Sequence, residues 1–186
     1  ILSRQDFRCL ERLRVRWAEI DAQQIVFNAH YLGYFDTAVG AYWRALALPY
    51  ADTMKSLGGD LFVRKSTVEY LGSAHYDDLL DVGVRCARVG TTSLTVACAV
   101  FRGEELLVHG ELVYVFADVQ SQRPLPVPRA LRDTLTEPGG VGFAVDQLGV
   151  RHGSSSIVRC VRRAGRGPTA RRANPASRHS RPPAAH

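Results

Sequence analysis

The sequence predicts an α+β fold in which a curved antiparallel sheet of about five strands wraps one long central helix. Three observations carry this. Leu13, Val15 and Trp17 alternate with Arg12, Arg14 and Arg16, the period of a half-buried strand. From Leu32 the period changes: Leu32, Phe35, Val39, Tyr42 and Leu46 are spaced 3, 4, 3, 4 and form one helical stripe. Past residue 60, four more segments alternate with period two and are joined by short turns, which implies an antiparallel meander.

Taken in order, residues 1–8 carry no pattern. A strand is expected over Cys9 to Glu19, then a polar loop from Ile20 to Asn28 with Ile25, Val26 and Phe27 inside it. The helix starts near Ala29 and ends near Pro49, which cannot continue it. Tyr31, Tyr34 and Trp43 lie off the stripe, so the helix is apolar over most of its girth and needs a curved sheet or a partner subunit to enclose it. A short second helix spans Tyr50 to Leu57, stopped by Gly58 and Gly59. Strands follow over Leu61 to Leu71 with imperfect alternation, Leu79 to Val89, Ser93 to Phe101 and Glu105 to Asp118. Turns are expected at Gly90-Thr91 and Gly103-Glu104, and a weak helix over Pro128 to Leu135.

The folded domain is expected to be 1–136, with 137–186 a linker and an Arg/Pro/Ala-rich tail. Residues 151–186 hold nine arginines and no Asp or Glu, leaving 15 of the 24 basic residues against all 18 acidic ones in 1–150, a net of −3. The body is mildly acidic and the positive charge belongs to the tail. A segment of that composition buries too little apolar surface to offset its ordering entropy, so disorder is expected there. The four cysteines form no CxxC pair and no zinc-type spacing, which points to reduced thiols and a cytoplasmic setting, with no metal and no cofactor. No apolar run approaches a membrane span.

The stretch 15–35, VRWAEIDAQQIVFNAHYLGYF, resembles the signature of the 4-hydroxybenzoyl-CoA thioesterase family, which has the hotdog fold. Segments 76–80 (YDDLL) and 88–94 (RVGTTSL) are similar to that family's lead into its third strand and its next hairpin. The resemblance covers about 13–118. It implies an acyl-CoA thioesterase: acyl-CoA as substrate, a homodimer or homotetramer, and catalysis by Asp21 as base or nucleophile. The helix N-terminus at Asn28, Ala29, His30 and Tyr31 maps onto the family's oxyanion donors. Gln24, Val26, Arg88, Thr91 and Ser93 map onto substrate-binding positions. Two positions depart from the pattern. Gln24 stands where the family often has Gly, and Thr91 where it often has Arg or Lys.

The chemistry fits these residue types. Thioester hydrolysis needs a base or nucleophile and donors for the developing oxyanion. Helix N-terminal amides lack intrahelical partners and favour negative charge. Each residue also has a plainer reading. By spacing alone Asp21 is a turn or capping residue. Asn28 reads as a helix N-cap, His30 as a locally bonded first-turn histidine and Glu19 as a surface charge at a strand end. His75 and His109 read as structural. Arg64, Lys65, Arg85, Arg88 and Arg102 lie at strand faces or ends, as solvated charges or as contacts to CoA phosphates. Two other functions compete: a non-catalytic acyl-CoA-binding protein, and a surface- or nucleic-acid-associating protein acting through the tail. The tail has no aromatic residue after Phe143, so base stacking is not indicated and nucleic acid is disfavoured as a partner.

Overall fold

The computed structural model describes residues 2–136 together with the strand Arg159–Cys160. The expected linker and tail otherwise lie outside the described residues. In chain order the elements are β1 (Cys9–Arg14), α1 (His30–Ala45), α2 (Tyr50–Leu57), β2 (Asp60–Tyr70), β3 (Leu79–Val89), β4 (Ser93–Arg102), β5 (Glu105–Ala117), α3 (Arg129–Thr136) and β6 (Arg159–Cys160), with 3-10 turns at Arg4–Asp6 and Trp17–Glu19. One sheet contains all six strands in the order β2-β5-β4-β3-β1-β6. Every pairing is antiparallel. The three hairpin-linked strands β3, β4 and β5 form the middle of the sheet, as short turns dictate.

Two boundaries differ from the sequence reading, each for a local reason. β1 stops at Arg14, because the Glu19 carboxylate accepts the Arg16 amide at 2.7 Å and draws 17–19 into a 3-10 turn. α1 stops at Ala45 rather than Pro49. Ala47 adopts φ +59, its amide donates to Arg44 O at 3.0 Å, and the Leu48 amide donates to Trp43 O at 3.1 Å. These are the two bonds of a Schellman end, with alanine in the left-handed position and buried Leu48 behind it. The weak alternation of β2 also has a cause. A bulge between Val63 and Lys65 shifts the register against β5.

The main core lies between α1 and one sheet face. Phe35 of α1 shares one buried cluster with Leu80, Val82 and Val84 of β3, Leu94, Cys98 and Val100 of β4, Phe116 of β5 and Leu131 of α3. The expected stripe is one position out of phase at its start: Leu32 is exposed, whereas Tyr31 and Tyr34 are buried. The opposite sheet face carries a small second cluster, where Phe7 covers Ala99 and Phe101. Asp81 pins that N-terminal segment, accepting from Arg4 Nη2 at 2.7 Å and Arg12 Nε at 2.7 Å. Those two guanidiniums hold its carboxyl below the usual carboxylate range, Arg12 first. Residues 2–8, patternless in sequence, thus roof the outer face. Among the described residues β2 has β5 on one side only, and Val63 and Tyr70 along it and Leu71 just past its end are exposed.

Candidate active site

The loop after β1 folds into a small hairpin. The Phe27 amide donates to Glu19 O at 2.9 Å, the Asp21 amide donates to Ile25 O at 2.9 Å, and Ile20 bridges Val26. Asp21 occupies the first position of the tight turn. Its carbonyl accepts from the Gln24 amide at 3.0 Å and its Oδ1 accepts from the Gln23 amide at 2.7 Å. This is the bond pattern of a type I turn with an Asx side chain, followed by a left-handed residue. Gln24 is that residue, with φ +62. A glycine adopts this conformation without steric cost, which accounts physically for the departure at Gln24. The turn reading of Asp21 is therefore realised through Oδ1. Among the described residues Oδ2 has no hydrogen-bond partner, and the side chain is only half-buried.

The return limb of the hairpin leads directly into α1. His30 N donates to Phe27 O at 2.9 Å and Tyr31 N to Asn28 O at 3.4 Å, so two of the four amides proposed from sequence are already engaged. The amides of Asn28 and Ala29 have no acceptor among the described residues, and both residues are exposed. The N-cap is Ala29, without a side-chain cap, so Asn28 does not take the capping role that its residue type suggested. Its carbonyl instead accepts from Tyr70 Oη at 3.2 Å, tying the end of β2 to the helix entrance. The His30 ring packs edge-on against Phe27 at 6.1 Å. Tyr31 Oη accepts the Ala74 amide at 3.1 Å, and burial pushes its phenol upward.

Glu19 is not a surface charge. It is 3% exposed and accepts from the Arg16 amide at 2.7 Å, from Arg16 Nε and Nη2 at 2.9 and 2.6 Å, and from Tyr34 Oη at 2.8 Å. Burial pushes the Glu19 carboxyl up. The bonds from the Arg16 amide and guanidinium and from Tyr34 outweigh it, so the carboxyl lies below its ordinary value. Burial, then the bond to Glu19, pushes the Tyr34 phenol up. Sequence reasoning missed this pair. The one available signal was a tyrosine off the apolar stripe.

The substrate positions expected from sequence do not converge. Val26 is a core residue at 3% exposure, its amide donating to Ala74 O at 2.9 Å. Gln24 sits at the exposed hairpin turn beside Asp21. Arg88, Thr91 and Ser93 surround the β3–β4 turn, whereas the Asp21 hairpin follows Arg14, which pairs with Leu79 at the other end of β3. β3 has 11 residues, so about 33 Å of sheet separates the two ends. Within one chain these three residues are not at the Asp21 site.

Beneath the second half of α1 lies a half-open cavity of about 400 Å³, walled by Val39 and Trp43 of α1, Tyr50 of α2, Val96 of β4 and Tyr114 of β5, with Asp36 at its edge. Asp36 lies six residues beyond His30, so the cavity begins about 9 Å along the helix from its N-terminus. Among the described residues no helix is long and apolar enough to cross a membrane.

Residues 23–109 match the model of the thioesterase superfamily. The acyl-CoA thioester hydrolase YbgC of Escherichia coli is 26% identical over 120 residues, covering 64% of this chain and 89% of that protein. Among solved structures, a Pseudomonas aeruginosa protein superposes with TM-score 0.62 at 28% identity, covering 72% of this chain and 92% of the other. The DHNA-CoA thioesterase of Staphylococcus aureus superposes with TM-score 0.61 at 22% identity, covering 67% and 83%, a likeness of fold.

Proposed function

We propose that this hotdog-fold chain is a member of the thioesterase superfamily, whose model its residues 23–109 match, and that it hydrolyses an acyl-CoA thioester to the free acid and CoA. One observation carries the reading. A half-buried aspartate stands at the turn of a hairpin whose return limb ends at a helix N-terminus on two amides that have no acceptor among the described residues. In this scheme the amides of Asn28 and Ala29 donate to the thioester oxygen as it gains negative charge, aided by the helix dipole. Asp21, through Oδ2, acts either as the base that deprotonates a water as it adds to the carbonyl carbon, or as the nucleophile that adds there itself and forms an acyl-aspartyl anhydride, which a water then hydrolyses to the free acid and the Asp21 carboxylate. On either route the carbon–sulfur bond breaks after the first addition, and the CoA sulfur leaves as thiolate and takes up a proton. The cavity beside Trp43 and Tyr114 receives the acyl group, since apolar walls with a few polar groups at the rim suit an acyl chain or ring.

The same scheme includes a homodimer. Two β2 strands paired antiparallel would cover the open edge with its exposed Val63, Tyr70 and Leu71. That pairing would set the Asp21 end of one copy on the same side as the β3–β4 turn of the other, and so draw together what a single chain holds about 33 Å apart.

A panel of acyl-CoA substrates, from acetyl to dodecanoyl and benzoyl, tests the activity by release of the free CoA thiol. Thiol release from at least one member is expected, and binding without release from any member would favour a carrier instead. Light scattering should give twice the 20.5 kDa chain mass; a monomer at micromolar concentration contradicts the dimer.

A further inference from the structure

We propose that Glu19 is a positioning residue, fixing the Asp21 hairpin against the entrance of α1 through Tyr34; the inference rests on the reading of Asp21 given above. The tip of the hairpin has little packing of its own, since Ala22, Gln23 and Gln24 are all exposed, whereas its base is held by Val26 in the core and by Glu19. What sets its attitude to α1 is what holds its base. Glu19 does this with both its backbone and its side chain. Its carbonyl accepts the Phe27 amide and so closes the two limbs. Its Oε2 accepts from Tyr34 Oη on α1 and from the Arg16 amide, two residues past the end of β1. One carboxylate therefore joins the end of β1, the hairpin and the helix. Tyr34 stands five residues after Ala29 and six after Asn28, about 8–9 Å along the axis from their amides.

The choice of a charge here is informative. Removing a carboxylate from water costs several kcal/mol, and apolar groups of the same volume often stabilise as well or better. What an apolar pair lacks is direction. Four donor atoms aimed at two oxygens admit one arrangement of the three segments. The reaction needs that, because misplacing a reacting group by about 1 Å costs about a hundredfold in rate.

The test uses the full chain with Tyr34→Phe, Glu19→Gln and the double variant. With acyl-CoA, kcat should fall roughly ten- to a hundredfold with KM little changed. The double variant should lose no more than the worse single one, because both remove one linkage. Amide hydrogen exchange supplies a readout independent of activity: Asp21 and Phe27 should exchange faster in Tyr34→Phe, while amides of β4 keep parental rates. A lowered melting temperature with parental kcat would make Glu19 a structural anchor only and overturn the proposal. If the parent itself turns over no acyl-CoA, the catalytic reading fails, and the exchange experiment still decides: unchanged protection at Asp21 and Phe27 rejects the linkage, and selective loss of protection supports it.

Discussion

Asp21→Asn should lose acyl-CoA turnover by roughly a hundredfold or more, as for removal of a positioned general base, while remaining folded. The two halves of that expectation come from different atoms of one side chain. Oδ1 accepts the Gln23 amide and shapes the turn; an asparagine carbonyl oxygen accepts the same bond, and Asx turns tolerate either residue. The second oxygen becomes an NH₂ group, which can neither take a proton from water nor attack a carbonyl. Steady-state thiol release and a thermal melt on the same preparation separate the effects. Substrate binding should survive, because the amides of Asn28 and Ala29 and the cavity beneath α1 are untouched. Parental turnover in the variant would remove Asp21 from the mechanism. Loss of turnover together with loss of fold would assign it to the turn alone.

Gly110→Ala should destabilise the protein by about 3 kcal/mol, the upper range for overpacking a tight core, and lower its melting temperature by roughly 10 °C. Gly110 lies on β5, opposite Val68 of β2 and Cys98 of β4. A Cβ built there would meet the Thr67 carbonyl oxygen at 2.1 Å and the Phe35 ring at 3.1 Å. The first is backbone of the neighbouring strand and cannot rotate away. The second belongs to a fully buried ring of α1, so relief requires moving a strand or the helix. Gly33→Ala is the control. It lies in α1 with nothing within 4 Å of a built Cβ, and there the change should stabilise by about 0.5–1 kcal/mol through helix propensity and the unfolded chain. Thermal melts of both variants check this pair. Equal losses would show that close approach is not what matters at position 110.

The sheet was legible because burial of one face imposes a period of two. Leu80, Val82 and Val84, like Leu94, Val96 and Cys98, point to the core as their alternation predicts. The helix was legible from its spacing, but its phase was not. Leu32 is an apolar residue at the rim, whereas Tyr31 and Tyr34 bury their rings and satisfy their hydroxyls with the Ala74 amide and Glu19. Tyrosine serves either environment, so hydrophobic periodicity alone cannot rank it. Asp21 became a catalytic candidate only through family resemblance. Its local pattern is that of a turn residue, and the structure contains that turn. Glu19 was misjudged because a glutamate near arginines usually lies in solvent, and its burial depends on Tyr34, 15 residues away in sequence. The ends of β1 and α1 were set by a side-chain bond and by a left-handed alanine, neither of which leaves a mark in composition.

The open edge of β2 also determines how large an assembly can become. Each chain has two sheet edges, and they are not equivalent. At β1 the outer side is met by Arg159–Cys160 at Cys9 and Leu10, and Arg12 and Arg14 project from the strand with their charges matched to Asp81 and Asp77. Such an edge resists further strand addition. Among the described residues the long strand β2 is left with one side unpaired. A chain with one receptive edge has a valency of one for sheet extension. When two copies satisfy each other about a twofold axis, no receptive edge is left to recruit a third, so sheet growth ends in a closed particle rather than a fibre.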